Sequence, residues 1–167
     1  MIKAIMAVDE NYGVSKNGTL PWPHNEKDYN YFMDQTKGHV IVMGSKTWED
    51  PHMPCPMPDR TNILISNKDT YRDQAFSIIR GDIVKGIQFL AKNFSDKDTW
   101  IIGGPNIIEQ TIDIIEEFHL SKIPGKFDCD TELNAEMLNT FDFKTRTHDL
   151  NVTFIKYSRR WNGRQRH

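Results

Sequence analysis

Cysteine is scarce in this chain of 167 residues: there are two, Cys55 and Cys129. They lack metal-ligand spacing and read as unpaired packing residues, which suits a reducing cytoplasm. No metal site is expected. No apolar run approaches the roughly 20 residues that span a bilayer. The start, Met1 to Val8, lacks the basic region and cleavage site of a secretory signal and reads as a strand. Charge of one sign is absent too. Lys and Arg total 21 against 23 Asp and Glu, a formal net charge of -2, so neither nucleic acid nor an anionic membrane is expected as a partner. Repeats, low-complexity segments, a Walker pattern and a GxGxxG fingerprint are all missing. What remains is the length of one ordinary domain, with 38% apolar residues to build its core.

Short β-branched runs recur at Ile2–Val8, His39–Met43, Thr61–Ser66, Ser77–Arg80, Thr99–Ile102, Glu117–Ser121 and Thr153–Ser158. Amphipathic stretches of helical period lie between many of them, over Asn25–Thr36, Asp82–Asn93 and Asn106–Ile115. The alternation predicts a single α/β domain over residues 1–160, with a central, mostly parallel twisted sheet flanked by helices. The last two strands are joined by an acidic, turn-rich stretch, Pro124 to Phe143, without a helix, which predicts an antiparallel edge at the C-terminus. Residues 161–167 form a basic tail, read as solvated, with an anion- or partner-binding tail as the alternative.

Three motifs could carry chemistry. Asp28, Phe32 and Thr36 share one helix face, so an inward Phe32 carries Asp28 toward the interior. There Asp28 either complements the helix dipole or grips a cationic or amidine-like group through two parallel hydrogen bonds. Before it, a loop with two glycines, Gly13 to Gly18, leads through Leu20-Pro21 to Trp22 and has the makings of a lid. Next, Gly44-Ser45-Lys46-Thr47-Trp48 at a strand end offers backbone N–H groups, hydroxyls and a cation, either as a phosphate cradle or as an ordinary strand-to-helix turn. Third, Gly103-Gly104-Pro105 ends a buried strand and opens a helix, where a ligand could approach the backbone.

In order and spacing these segments resemble the dihydrofolate reductase family. The match runs from Ile5-Met6-Ala7-Val8 through Gly18-Thr19-Leu20-Pro21-Trp22, Asp28, Phe32 and Val42 to Trp48. It continues over Pro58 to Ser66 and Ile101 to Gly104, and ends in Asp130-Thr131. The resemblance implies reduction of 7,8-dihydrofolate by NADPH, with hydride transfer to C6 and protonation of N5, for one-carbon metabolism in the cytoplasm. It implies a monomer acting on small molecules and inhibited by antifolates. Asp28 becomes the pocket carboxylate, Trp22 the residue that helps hold a water near it, and Ser121 the hydroxyl bonded to it. Ile5, Phe32 and Ile102 become pterin-pocket walls, and Arg60 the clamp on the substrate's glutamate carboxylate. Ala7 and Val14 become nicotinamide contacts. Gly44, Ser45, Lys46, Thr47 and Ser66 would bind the cofactor, Lys46 and Thr47 at its phosphates. Gly103, Gly104, Pro105, Asn106 and Ile107 would bind it too, with the glycine pair under the pyrophosphate and Lys68 or Arg72 as helpers toward NADPH.

The chain departs from the family pattern at four places. Ser45 and Asn106 stand where basic residues are common, and Pro105 where a third glycine is frequent. Ile108 takes the place of a tyrosine, which would remove a hydroxyl and an aromatic face from the cleft and alter affinity or rate. Two alternatives remain: a pyrimidine reductase of riboflavin synthesis, with the same fold and cofactor, and a non-catalytic binding protein on the same domain.

Overall fold

The computed structural model describes residues 1–53, 55–71 and 74–159; the basic tail 161–167 and Arg72 lie outside the described residues. The chain runs β1 (Ile2–Val8), β2 (Gly13–Ser15), α1 (Glu26–Thr36), β3 (Val40–Gly44), α2 (Ser45–Trp48), β4 (Thr61–Ile65), β5 (Ser77–Ile79) and α3 (Ile83–Asn93). It continues with β6 (Thr99–Gly103), α4 (Pro105–Thr111), β7 (Glu117–Lys122), β8 (Thr131–Glu132), β9 (Phe143–Asp149) and β10 (Val152–Ser158). Eight strands form one sheet in the order β5-β4-β3-β6-β1-β7-β10-β9. From β5 to β7 every pairing is parallel, and β10 runs antiparallel to both β7 and β9. The expected mostly parallel sheet with an antiparallel C-terminal edge is present. Among the described residues, no helix is long and apolar enough to cross a membrane.

Side chains of each strand alternate between two faces, and each face has its own core. Ala4, Val8, Val40, Val42, Ile63, Ile101, Phe118 and Leu120 point to the side covered by α3 and α4, where Ile87, Leu90 and Ile108 meet them. Ile5, Ile41, Met43, Leu64, Trp100 and Ile102 point to the other side, against Tyr31, Phe32 and Met33 of α1 and Trp48 of α2.

Three strands escape the periodicity reading: the three-residue β2, inside the glycine-bearing loop, and β8 and β9. Strand β9, Phe-Lys-Thr-Arg-Thr-His-Asp, is exposed at almost every position, so it has no apolar face to alternate and is held by its ladder to β10. Within the stretch read as a plain connector, β8 pairs with β2 and holds the glycine-bearing loop. That loop folds back through a tight turn in which Asn17 and Gly18 both have positive φ, 53° and 81°, the Asn-Gly signature of a two-residue hairpin turn.

Asp9 ties the root of this loop to the segment beside it. Its Oδ1 accepts from Asn11 N and Gly13 N, both at 2.8 Å. Its Oδ2 accepts from Phe127 N at 3.1 Å and Cys129 Sγ at 3.5 Å. Burial pushes this carboxyl up, but the hydrogen bonds outweigh it and hold it below its ordinary value of 3.8. The stability Asp9 contributes is therefore fully present above pH 3.8 and lost as pH falls through its lower folded value. Asp9→Asn is expected to cost about 1–3 kcal/mol near neutral pH, because the amide sets N–H against N–H. In urea titrations at several pH values the two proteins should converge under strongly acidic conditions.

Candidate active site

Most functional candidates gather at the carboxyl ends of the parallel strands, where doubly wound sheets bind ligands, while Arg60 lies just before the amino end of β4. The topology explains the place. The chain leaves β1 for β3, β4 and β5 on one side, then returns through β6 into the gap between β3 and β1. The loops after β3 and β6 thus leave two neighbouring parallel strands.

Asp28 lies in the first turn of α1, whose N-cap is Asn25; the Asn25 side chain accepts from Asp28 N at 3.0 Å and donates to Asn151 O at 2.9 Å. The Asp28 side chain is half-buried and turned toward the sheet, where the Ser121 hydroxyl of β7 donates to it. Burial pushes the carboxyl above its ordinary value, and the Ser121 bond opposes that only in part. Ala7, Ser121 and Phe154 occupy one row across β1, β7 and β10. Trp22, 6% exposed, closes this end with Ala7, Phe154 and Phe127, its indole edge-on to Phe127 at 5.9 Å. Ile5, Phe32 and Ile102 share the core beneath α1, so the residues expected around the pterin are brought together.

Arg60 sits at the far end of the same helix. Its Nε donates to Thr36 Oγ1 at 2.9 Å, one terminal nitrogen to Pro58 O at 2.7 Å and the other to Met33 O at 2.6 Å. Buried Asn62 braces the loop before it through Met57 N at 2.8 Å and Met57 O at 2.9 Å. The guanidinium binds the Met33 carbonyl near the C-terminal end of α1 and, with a further contact to Met33 Sδ at 3.7 Å, keeps at least one of its five N–H groups for a ligand. Eight residues of helix separate Asp28 from Thr36, about 12 Å of rise. A cation and an acid thus stand at opposite ends of one helix.

The cofactor candidates form a second group. Met43 pairs with Gly103 across a bulge, so the turns after β3 and β6 lie side by side. The Gly103–Gly104 peptide is cis, and Gly103 has φ of 133°. A side chain at Gly103 would meet Met6 Cε and Thr47 Oγ1 at 3.4 Å, and one at Gly44 would meet Ile107 at 3.4 Å. Beside Gly104 there is open space. Helices α2 and α4 begin at glycine N-caps with no side-chain hydrogen bond, whereas Asn25 and Asp82 cap α1 and α3. Uncapped N–H groups are what an anion needs. Pro105 opens α4, Asn106 is exposed on it, and Ser45 and exposed Lys46 open α2. Ser66, just past β4, accepts from Lys68 N at 3.1 Å. Val14 is buried in β2 at the base of the loop.

Ile108 is fully buried in the core between the sheet and α3–α4, so its side chain brings neither a hydroxyl nor an aromatic face to the cleft. It is Ile107, on the preceding position of α4, that reaches toward Gly44. Two cavities of about 340 and 270 Å³ border β9 and β10, and neither includes Asp28, Lys46 or Gly104. Cys55 and Cys129 are unpaired, and burial pushes both thiols up to about 11, away from nucleophilic use. Sequence reasoning missed Asp9, Asn25 and the Tyr31–His119 pair. Asn25 could have been found as the capping residue ahead of the helix, and Asp9 by its Asx turn onto residue 11.

A parallel sheet with two glycine-led turns side by side at its carboxyl edge, and one half-buried acid, Asp28, on the covering helix, has the layout of an α/β enzyme of the dinucleotide-using kind. The dihydrofolate reductase family profile matches residues 1–159, and the chain belongs to that family, a family of NADPH-dependent oxidoreductases. Pig dihydrofolate reductase is 30% identical over 154 residues, covering 78% of this chain and 77% of that one. The Drosophila melanogaster enzyme is 31% identical over 138 residues, covering 76% and 75%. A Mycoplasmoides gallisepticum protein named segregation and condensation protein A is 31% identical over 160 residues, but this chain spans only 25% of its length. Among solved structures, Enterococcus faecalis dihydrofolate reductase in complex with NADP(H) and RAB-propyl has a TM-score of 0.75 at 23% identity, covering 96% of both chains.

Removing the Ser121 hydroxyl should raise the Asp28 midpoint further, since that bond is what favours the charged form. Carboxyl carbon NMR titration of Ser121→Ala against the wild type measures the rise.

Proposed function

We propose that this chain reduces 7,8-dihydrofolate to tetrahydrofolate with NADPH, and that Asp28 is the carboxylate that holds the pterin. The observation that carries the reading is a single half-buried acid, bonded to Ser121, on the helix over the carboxyl ends of β1 and β7. Ionised, Asp28 accepts two parallel N–H bonds from the amidine edge of the pterin, a pairing stronger than neutral ones. That bond raises the basicity of N5, and water held near Trp22 delivers the proton there. Ile5, Phe32 and Ile102 exclude solvent from the ring, and Arg60 takes the glutamate carboxylate at the far end of α1.

The residues present fit NADPH. The uncapped starts of α2 and α4, Lys46, Thr47 and the open space at Gly104 suit a pyrophosphate, with Ser66 and Lys68 beside it for a further phosphate. When bound, the cofactor supplies the hydride and the protein aligns the two rings. Ala7 and Val14 take the nicotinamide end. Ser45 and Asn106, in place of cations, reduce the charge on offer to the phosphates, so affinity for NADPH rests mainly on Lys46. The same reading makes the chain a cytoplasmic monomer that serves small molecules, antifolates among them.

Asp28→Asn is expected to lower turnover at neutral pH by about 100-fold or more, while the NADPH dissociation constant stays close to the wild-type value. Unchanged turnover would remove Asp28 from the mechanism. Lys46→Ala should do the reverse, weakening NADPH by about tenfold with little change in the Michaelis constant for dihydrofolate.

A further inference from the structure

Asp28 is not alone in tying α1 to β7. One turn along the helix, Tyr31 Oη lies 2.6 Å from His119 Nδ1, and His119 Nε2 lies 2.9 Å from Glu117 Oε1. Ser121, His119 and Glu117 alternate along β7, so all three face α1. The Tyr31 ring stacks on Phe154 at 4.5 Å, and Phe154 is the β10 partner of Ser121. His119 is 6% exposed, and the Trp100 ring of β6 meets it edge-on at 4.9 Å.

The surrounding charges fix how this chain of bonds is polarised. Lys3 of β1 lies 3.6 Å from Glu117 and 3.1 Å from Asp98, and Lys156 of β10 pairs in register with His119. The His119 bond, with Lys3 and Lys156 behind it, overcomes burial and holds the Glu117 carboxyl down at about 2. A carboxylate at Nε2 requires a proton there, so in the neutral ring Nδ1 accepts the Tyr31 hydroxyl.

Helix α1 packs Tyr31, Phe32 and Met33 against the sheet, yet all three stay half-buried and Thr36 is its single fully buried residue. Polar rungs therefore add to the packing that sets its depth over the sheet. We propose that Tyr31, His119 and Glu117 form a positioning relay that seats α1 on β7 and so holds the Asp28 carboxyl in its half-buried place against Ser121. Tyr31 and His119 are positioning residues; they act on the reduction through Asp28. The inference rests on the reading of Asp28 given above.

The test is a carboxyl carbon NMR titration of Asp28 in the full chain, for the wild type, Tyr31→Phe, His119→Phe and His119→Gln. Tyr31→Phe keeps the ring on Phe154 and removes only the hydroxyl. The relay predicts that the Asp28 midpoint falls toward the ordinary carboxylate value by about half a pH unit or more, because α1 lifts and water reaches the acid. It predicts a three- to tenfold rise, roughly one hydrogen bond's worth, in the Michaelis constant for dihydrofolate. Turnover and NADPH affinity should barely move. His119→Gln, which keeps a polar link to Tyr31, should stay nearer the wild type than His119→Phe. Folded Tyr31→Phe with an unmoved midpoint overturns the relay, whatever its activity. If Tyr31→Phe does not fold, the two His119 variants decide, and equal midpoints in both overturn it. A wild type that does not oxidise NADPH with dihydrofolate overturns the functional reading instead, and the titration still decides the relay.

Discussion

The Ser121 hydroxyl on β7 meets the Asp28 carboxyl on α1, and the arrangement around the cleft serves that contact. Asp28 is half-buried, which raises its pKa, yet it keeps one donor that favours the ionised form. An acid with no such donor would be more strongly neutralised at this depth, and one in open water would not discriminate an amidine edge from any other cation. The contact in turn needs α1 at a set height above β7. Asn25 fixes where the helix begins, and Arg60 ties down its end through Thr36 and Met33.

The second constraint is topological. Because β6 returns into the gap between β3 and β1, two glycine-led turns emerge from adjacent strands and present uncapped helix starts together. A side-chain cap on either helix would compete with a phosphate for the same N–H groups. Glycine at both N-caps removes the competition, and the φ of 133° at Gly103 is one that a residue with a side chain rarely adopts, whereas a Cβ at Gly44 would make only ordinary contact with Ile107. Asp28 over β7 and the glycine-led turns after β3 and β6 lie on opposite sides of β1, the strand across which the proposed function has a pterin and a dinucleotide meet.

Much of this was legible in the residues, and the exceptions have physical reasons. Buried parallel strands such as Val40–Gly44 and Thr99–Gly103 announce themselves as apolar runs between helical periods. Strand β9 could not, because an exposed edge strand has no apolar face, and β8 could not, because two residues carry no period. The face of α1 predicted from the four-residue spacing of Asp28, Phe32 and Thr36 is the inner face. The full burial of Ile108, by contrast, follows from which way its side chain points on α4, since adjacent side chains of a helix point in different directions and sequence position fixes only the backbone location. The Tyr31–His119 pair and the bond from Phe127 N to Asp9 join residues 88 and 118 apart in sequence, which no local pattern encodes, although the Asp9 turn onto Asn11 is local.

The most direct measurement is the oxidation of NADPH by the wild-type chain with and without dihydrofolate, repeated with NADH. The account predicts oxidation that depends on dihydrofolate, prefers NADPH and is blocked by an antifolate. Oxidation that needs a ribosylaminopyrimidine instead, or no turnover with either cofactor, would contradict it.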